Sequence, residues 1–385
     1  MHTVDAQLLS DIAELVRLPS ISSFSPELDM SNRPVVDWLA ERLERRGFDI
    51  AIQDVPGVSG KSNLIATLGR GDGGLVLSGH TDTVPFDAGK WTSDPFQVTE
   101  REGRLYGLGT ADMKSFFALV LAATQDLRAE SLRVPLIVLA TADEETSMSG
   151  ARALTRRSRI RATNAVIGEP TDFRPVRLHK GIFMERICIE GSSGHSGDPG
   201  QGVNALEGMQ HVIHELLALR SELQATARNE AFPVPVTTLN LGRIAGGDNP
   251  NRICGHCELD IDLRMLPGMT VAETRSKMRA RVSRALADSG MNESFEVLFE
   301  GIDPLETPAD AELVRLTEKL TGSESRGVVY GTEGPFLSAL GMDVVILGPG
   351  SIDQAHQSDE FLRLDGLRDG VGILRELIRE LCLSD

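Results

Sequence analysis

The sequence predicts an α/β protein. A catalytic domain with helices on both faces of a mostly parallel sheet carries an inserted α+β domain of split βαβ plan. Three observations lead there. In the first part of the chain, short continuous apolar runs alternate with segments whose apolar residues recur every three to four positions, the rhythm of buried strands and amphipathic helices. Near Leu178 the rhythm changes to strands with alternating residues, in the order β-α-β-β-α-β. After Gly301 the first rhythm resumes. A chain of 385 residues, 41% hydrophobic and 25% charged, is long enough for two cores and ordinary for a globular protein.

Taken in order, 7–17 and 34–46 have helical spacing, the second with Pro34 in its first turn, where a missing N–H costs nothing. Runs 62–68 and 75–78 read as buried strands, 116–128 as a helix, 134–141 as a buried strand ending in acids, and 165–167 as a short strand. Strand 181–190, helix 203–220, strands 236–244 and 252–263, helix 271–287 and strand 294–299 make the split βαβ unit. Helix 309–320, strand 344–347 and helix 362–382 return to the α/β plan. The expected division is a discontinuous catalytic domain, 1–177 with 302–385, and an inserted lid or dimerisation domain, 178–301.

Charge and composition narrow the function. The formal net charge of −17 lacks the clustered Lys and Arg that neutralise phosphate backbones, and it repels anionic lipid headgroups. Neither nucleic acid nor a membrane is an expected partner. The longest apolar runs, such as 136–140, are far too short to span a bilayer. The first residues show neither the basic nor the apolar region of an export signal, and four cysteines without a framework of close pairs suit a reducing compartment. The cytoplasm is the expected location.

Chemistry-bearing residues gather after predicted strands, where open α/β sheets place their ligand sites. His80 and Asp82, in Gly79-His80-Thr81-Asp82-Thr83, share a face of an extended segment. Asp82 could take the second ring N–H of a metal-bound His80, as carboxylates commonly do. Gly107-Leu108-Gly109-Thr110-Ala111-Asp112 opens a helix; Asp112 could simply cap it, and the glycines lack the third member of a dinucleotide loop. Asp143-Glu144-Glu145 places three carboxylates at a strand end, where they repel unless cations or solvent compensate. Glu169 follows the strand ending at Ile167, and His356 follows Leu347-Gly348-Pro349-Gly350. Two histidines with several carboxylates form a mixed nitrogen and oxygen set suited to Zn²⁺ or Co²⁺. Cys254-Gly255-His256-Cys257 has the spacing of a thiol oxidoreductase motif, yet it falls inside a predicted strand and not at the helix N-terminus that activates such thiols.

Segments 78–86, 105–114, 140–148 and 167–171 together resemble the di-zinc aminoacylase and carboxypeptidase family M20, and the similarity runs over essentially the whole chain. Residues 251–254, Thr332-Glu333, and 347–352 with 355–357 resemble the members that deacetylate N-acetylornithine in arginine biosynthesis. Gly197 and Gly334 stand where other small residues are usual. The resemblance implies two Zn²⁺ ions, with Co²⁺ a possible substitute, an N-acyl amino acid substrate and a homodimer. It makes Asp112 the carboxylate bridging two metals, with His80 and Glu169 completing one site and Glu145 and His356 the other. Glu144 would be the general base. It also implies a cis peptide between Asp112 and Met113.

On the inserted domain, Ser193-Gly194-His195-Ser196 resembles the family loop whose histidine serves the neighbouring subunit, so His195 is the expected oxyanion donor. Asn251 and Arg264 match substrate-binding positions, Arg264 being suited to hold an α-carboxylate. Glu333 is the acid expected to read a side-chain ammonium. Another N-acyl-amino-acid hydrolase of the family, such as a succinyl-diaminopimelate desuccinylase, an acetylcitrulline deacetylase or a dipeptidase, would share this chemistry.

Overall fold

The structure is a computed structural model and describes residues 5–154 and 160–383. Two compact units emerge. The first comprises Met1–Arg177, Thr307–Arg326 and Thr332–Asp385; the second comprises Leu178–Glu306 and Gly327–Gly331. The first half of the chain contributes α1 (Ala6–Val16), α2 (Arg33–Glu44), β1 (Asp49–Asp54), β2 (Ser62–Leu68), β3 (Leu75–His80), β4 (Thr99–Arg101), β5 (Arg104–Tyr106), α3 (Lys114–Ala123), β6 (Leu136–Thr141), α4 (Ser149–Ala153) and β7 (Asn164–Ile167). Next come β8 (Val176–His179), β9 (Gly181–Glu190), α5 (Ala205–Thr226), β10 (Thr238–Gly246), β11 (His256–Met265), α6 (Val271–Leu286), β12 (Asn292–Ile302) and β13 (Leu305–Glu306). The remainder is α7 (Glu312–Thr321), β14 (Arg326–Val328), α8 (Gly334–Ala339), β15 (Asp343–Ile346), β16 (Phe361–Arg363) and α9 (Leu367–Cys382).

The main sheet of the first unit has the order β1-β2-β6-β3-β7-β15. Its four central strands β6, β3, β7 and β15 run parallel, while β1 and β2 pair antiparallel at one side. The parallel centre follows from composition: β3 and β6 are buried at every residue, as sheets covered on both faces require. Leu75, Leu77, Leu136, Val138 and Ala140 share one core with residues of α1, α2, α3 and α9. The alternating residues Val76, Ile137 and Leu139 are buried too.

Several boundaries differ from the sequence reading, each for a local reason. The helix α3 ends at Ala123 and not at 128: the Thr124 N–H still reaches the Val120 carbonyl, but the Leu127 N–H then closes a tighter turn on the Thr124 carbonyl. Residues 362–363, expected to open the last helix, join Phe361 in a strand against β5, and α9 starts only after Gly366, which has φ +91°. The strand β1 has no continuous apolar run, since it is a half-exposed flank of the sheet.

The second unit is a four-stranded antiparallel sheet, β10-β11-β9-β12, backed by α5 and α6. On β11, Cys257, Leu259, Ile261, Leu263 and Met265 face a core that includes Met209, Val212 and Leu216 of α5 and Met278 and Val282 of α6. The intervening residues, Glu258, Asp260, Asp262 and Arg264, lie on the opposite face by the period of two.

Candidate active site

The four parallel strands end side by side, and each delivers a polar residue at its carboxyl end. His80 is the last residue of β3, Glu144 and Glu145 follow β6, Glu169 follows β7, and the loop after β15 leads to His356. Asp112 arrives from the loop that opens α3. Close packing there needs glycine: a Cβ on Gly168 would fall 2.0 Å from Cγ of Phe116 in α3.

Asp112 is the centre of the arrangement. Its Oδ1 lies 3.1 Å from His80 Nε2, and its Oδ2 lies 3.7 Å from His356 Nε2. Glu169 Oε1 is 3.8 Å from His80 Nε2, and Glu145 Oε2 is 2.9 Å from His356 Nε2. The two oxygens of one carboxylate therefore face two different imidazoles, each with a further glutamate. The peptide between Asp112 and Met113 is cis.

Asp82 is placed differently from expectation. The His80 Nδ1 meets the backbone carbonyl of Asp82 at 3.0 Å, while the nearer carboxylate oxygen is 3.7 Å away. That carboxylate instead accepts the N–H groups of Glu144 and Glu145, at 3.3 and 3.1 Å. It orients the turn that carries both glutamates. The turn has a second brace. Asp143, with φ +58°, accepts from Lys61 Nζ at 2.8 Å, Ser22 Oγ at 3.0 Å and Ser149 Oγ at 2.7 Å. Lys61 also reaches Asp29 and is fully buried.

The electrostatics are those of crowded, desolvated acids. Burial, with the neighbouring carboxylates adding repulsion, raises the pKa values of Glu144 and Glu169 well above normal and raises that of Glu145. Burial opposes a charge on His80, yet its bond to Asp112 and the nearby Glu169 and Asp82 outweigh this and raise its pKa. His356 is raised to about 9, first by its bond to Glu145.

Among the described residues, two groups bring ligand atoms within 4.8 Å of one another: His80 with Glu144 and Glu169, and His80 with Asp112 and Glu145. Glu169 Oε1 is buried without a hydrogen-bond partner among the described residues, His80 Nε2 at 3.8 Å being out of hydrogen-bond reach. Imidazole and carboxylate donors around an orphaned oxygen fit divalent transition metals.

Other expected residues stand elsewhere. Glu333 precedes α8 and is buried; its Oε2 accepts from the Thr141 hydroxyl at 2.7 Å and its Oε1 has no partner. Burial pushes its pKa up to about 7. His195, Asn251 and Arg264 belong to the second unit. His195 is exposed, and its Nδ1 accepts the Gly197 N–H at 3.0 Å. Asn251 is exposed and its carbonyl accepts from the Ser196 N–H. Arg264 makes a two-pronged bond to Asp262, at 2.7 and 2.8 Å. In the cysteine motif, Cys257 lies in β11 and burial raises its thiol to about 11, the opposite of activation.

Residues 76–380 match the model of peptidase family M20/M25/M40. The chain belongs to that family. This is the family that the motifs resemble, and its members are hydrolases, as is this chain. Among M20 relatives, the acetylornithine deacetylase of Proteus mirabilis (strain HI4320) is 48% identical over 372 residues, covering 97% of this chain and 96% of its own. The aminopeptidase PepT of Bacillus cereus ATCC 10987 shares the fold, with TM-score 0.76, 20% identity and coverage of 97% and 98% of the two chains. So does the YXEP protein of Bacillus subtilis, described as a dinuclear metal binding peptidase from the M20 family, with TM-score 0.67, 15% identity and 97% of each chain covered. Within this M20 site, Lys61, Thr141 and Glu360 were invisible to motif reading. Each acts on a residue distant in sequence, so its partner cannot be read from local spacing.

Proposed function

We propose that this M20 hydrolase removes the acetyl group of N2-acetyl-L-ornithine, giving L-ornithine and acetate, as a step of arginine biosynthesis. The observation that carries the reading is Asp112 set between His80 and His356, each with its own glutamate. The identity to the Proteus mirabilis acetylornithine deacetylase supports the substrate. His80 and Glu169 would hold one divalent ion, Glu145 and His356 a second, and Asp112 both, with Zn²⁺ favoured and Co²⁺ a substitute. When bound, the ions would polarise the acyl carbonyl and lower the pKa of water between them.

The remaining roles fall to the chain. Glu144, held in place through the Asp82 and Asp143 contacts, takes a proton from water on its carboxylate and returns it to the leaving amine. His195 donates to the developing oxyanion, supplied across a homodimer by the second unit. Asn251 and Arg264 bind the α-carboxylate end, for which Arg264 must exchange its Asp262 partner. Glu333, with one oxygen unpartnered, offers an acceptor to the ornithine ammonium. Four unpaired cysteines fit a cytoplasmic enzyme.

The test is a panel of N-acetylornithine, N-acetylmethionine, N-succinyl-diaminopimelate and a dipeptide, assayed with metal content measured. N-acetylornithine should give the highest kcat/KM, and chelation should abolish turnover. Glu333→Gln should cost about 1–3 kcal/mol in kcat/KM on N-acetylornithine and little on N-acetylmethionine. Equal losses on both would assign Glu333 to support of Thr141. A preference for the succinyl compound or the dipeptide would move the protein to another branch of the family.

A further inference from the structure

The glycine-bearing loop before α3 has a feature that metal ligation does not explain. Its amides converge on a single buried carboxylate, that of Glu360. Gly109 N–H donates to Oε2 at 3.0 Å, and the N–H groups of Ala111 and Asp112 donate to Oε1 at 2.7 and 3.0 Å. The backbone carbonyl of Glu360 also accepts the Gly107 N–H at 3.0 Å. Successive amides curved round one point form an anion nest, the device by which glycine-rich loops hold phosphate oxygens. Gly109 makes the curve possible with φ +82°, a conformation that a side chain disfavours. Here the nest is filled by the chain's own carboxylate, so the loop is closed to external anions.

We propose that Glu360 is a positioning residue for Asp112: by filling this nest it fixes the backbone from which the Asp112 carboxylate is aimed between His80 and His356. The proposal rests on the reading that Asp112 bridges two metals. Asp112 is held through its own N–H, so its Cα cannot swing without breaking the nest. Glu360 is also four residues beyond His356, and one carboxylate thereby ties the Asp112 loop to the His356 loop. Neighbouring Asp359 does something else: it caps Thr92, through N–H and hydroxyl bonds at 2.8 and 3.1 Å. Asp359 is therefore an internal control for a loop contact that does not touch the nest.

The experiment is a Zn²⁺ titration by calorimetry of chelated wild type, Glu360→Ala, Glu360→Gln, Asp359→Ala and His80→Ala, with amide hydrogen exchange on the chelated proteins. Glu360→Ala should weaken both binding steps by about 10–100-fold, the usual effect of losing a partner that orients a ligand. Glu360→Gln should lose less, because its single oxygen still accepts from Ala111 and Asp112 while its NH₂ confronts the Gly109 N–H. His80→Ala should remove one step only, and Asp359→Ala should leave both steps unchanged. The amides of Gly109, Ala111 and Asp112 should be protected in chelated wild type and exchange faster in Glu360→Gln. Wild-type affinities and wild-type protection in Glu360→Gln would overturn the proposal, and this variant decides the matter if Glu360→Ala does not fold. A wild-type chain that binds only one ion would sink the two-metal reading separately, and the exchange data would still judge Glu360.

Discussion

Glu185 and Glu169 are both buried, one in each unit, and their surroundings differ in kind. Glu185, on β9, is met by Arg275 Nε at 2.9 Å and by Arg279, both from α6. The second unit thus supplies cations of its own to its buried acid. Glu169 stands among Asp112, Glu144 and Glu145; the cation it meets among the described residues, His80, lies 3.8 Å from Oε1, too far for a hydrogen bond, so that oxygen is left without one. A chain that places two arginines on one glutamate can neutralise a buried charge when stability alone is at stake. Leaving a cluster of acids in deficit is the mark of a site whose cation comes from outside.

The largest expected effect lies in the deficient cluster. Glu144→Ala should reduce kcat by about 10²–10⁴-fold, the contribution of a positioned acid-base group. Metal analysis of the variant should still find both ions. Full turnover would show that Glu144 moves no proton, and loss of one ion would recast it as a ligand, as its grouping with His80 and Glu169 also permits.

Next come the two glutamates themselves. Glu185→Gln should cost about 1–3 kcal/mol in denaturant unfolding, because it removes the charge of a buried acceptor that two partly exposed arginines share, and the loss should be the same with and without chelator. Glu169→Gln should do the reverse. The chelated protein should be no less stable than wild type, since a repelled carboxylate has been removed. Wild type, however, should gain about 2.7 kcal/mol from free metal at a hundred times its Kd, and Glu169→Gln should lose most of that gain. If both variants responded alike to chelator, the contrast between the units would collapse.

Much of this arrangement is legible in the amino-acid order, and the illegible remainder has common causes. The strands β3, β6, β7 and β15 each contain an unbroken apolar run of three or more residues, and the ligand-type residues stand at or beyond their carboxyl ends, so both the parallel centre and the site at its edge can be read locally. What fails is geometry set by turns. Period-two spacing puts His80 and Asp82 on one face, but β3 ends at His80, and the turn presents the Asp82 carbonyl to the imidazole and its carboxylate to Glu144 and Glu145. Contacts that close only through the tertiary fold, Lys61 with Asp143 and Glu360 with the Asp112 loop, leave no trace in local spacing. Polar flanks such as β1 carry no apolar run to announce them.

The smallest expected effect tests whether an orphaned buried atom alone marks a cation site. His179 in the second unit is fully buried, and its Nε2 has no partner, as with Glu169 Oε1. Its Nδ1 lies 2.8 Å from the Lys180 carbonyl, so the neutral ring donates there. Burial lowers its pKa from 6.5 to about 4, against the raising effect of that bond. The sign follows from linkage. The unfolded chain takes up a proton as pH falls through about 6.5, while the folded chain resists until about pH 4, so folding stability is lost as pH falls across that window. Between about pH 7.5 and about pH 5.5 the share due to His179 is about 1.4 kcal/mol. His179→Asn keeps an N–H for the Lys180 carbonyl and cannot titrate, so its stability should fall less than wild type over the same interval by that amount. Added Zn²⁺ should change neither curve through this residue, because among the described residues no carboxylate shifts its titration. A metal-dependent difference between His179→Asn and wild type would mean that an unpartnered atom suffices to recruit a cation, and the crowding of acids around Asp112 would no longer be what distinguishes the first unit.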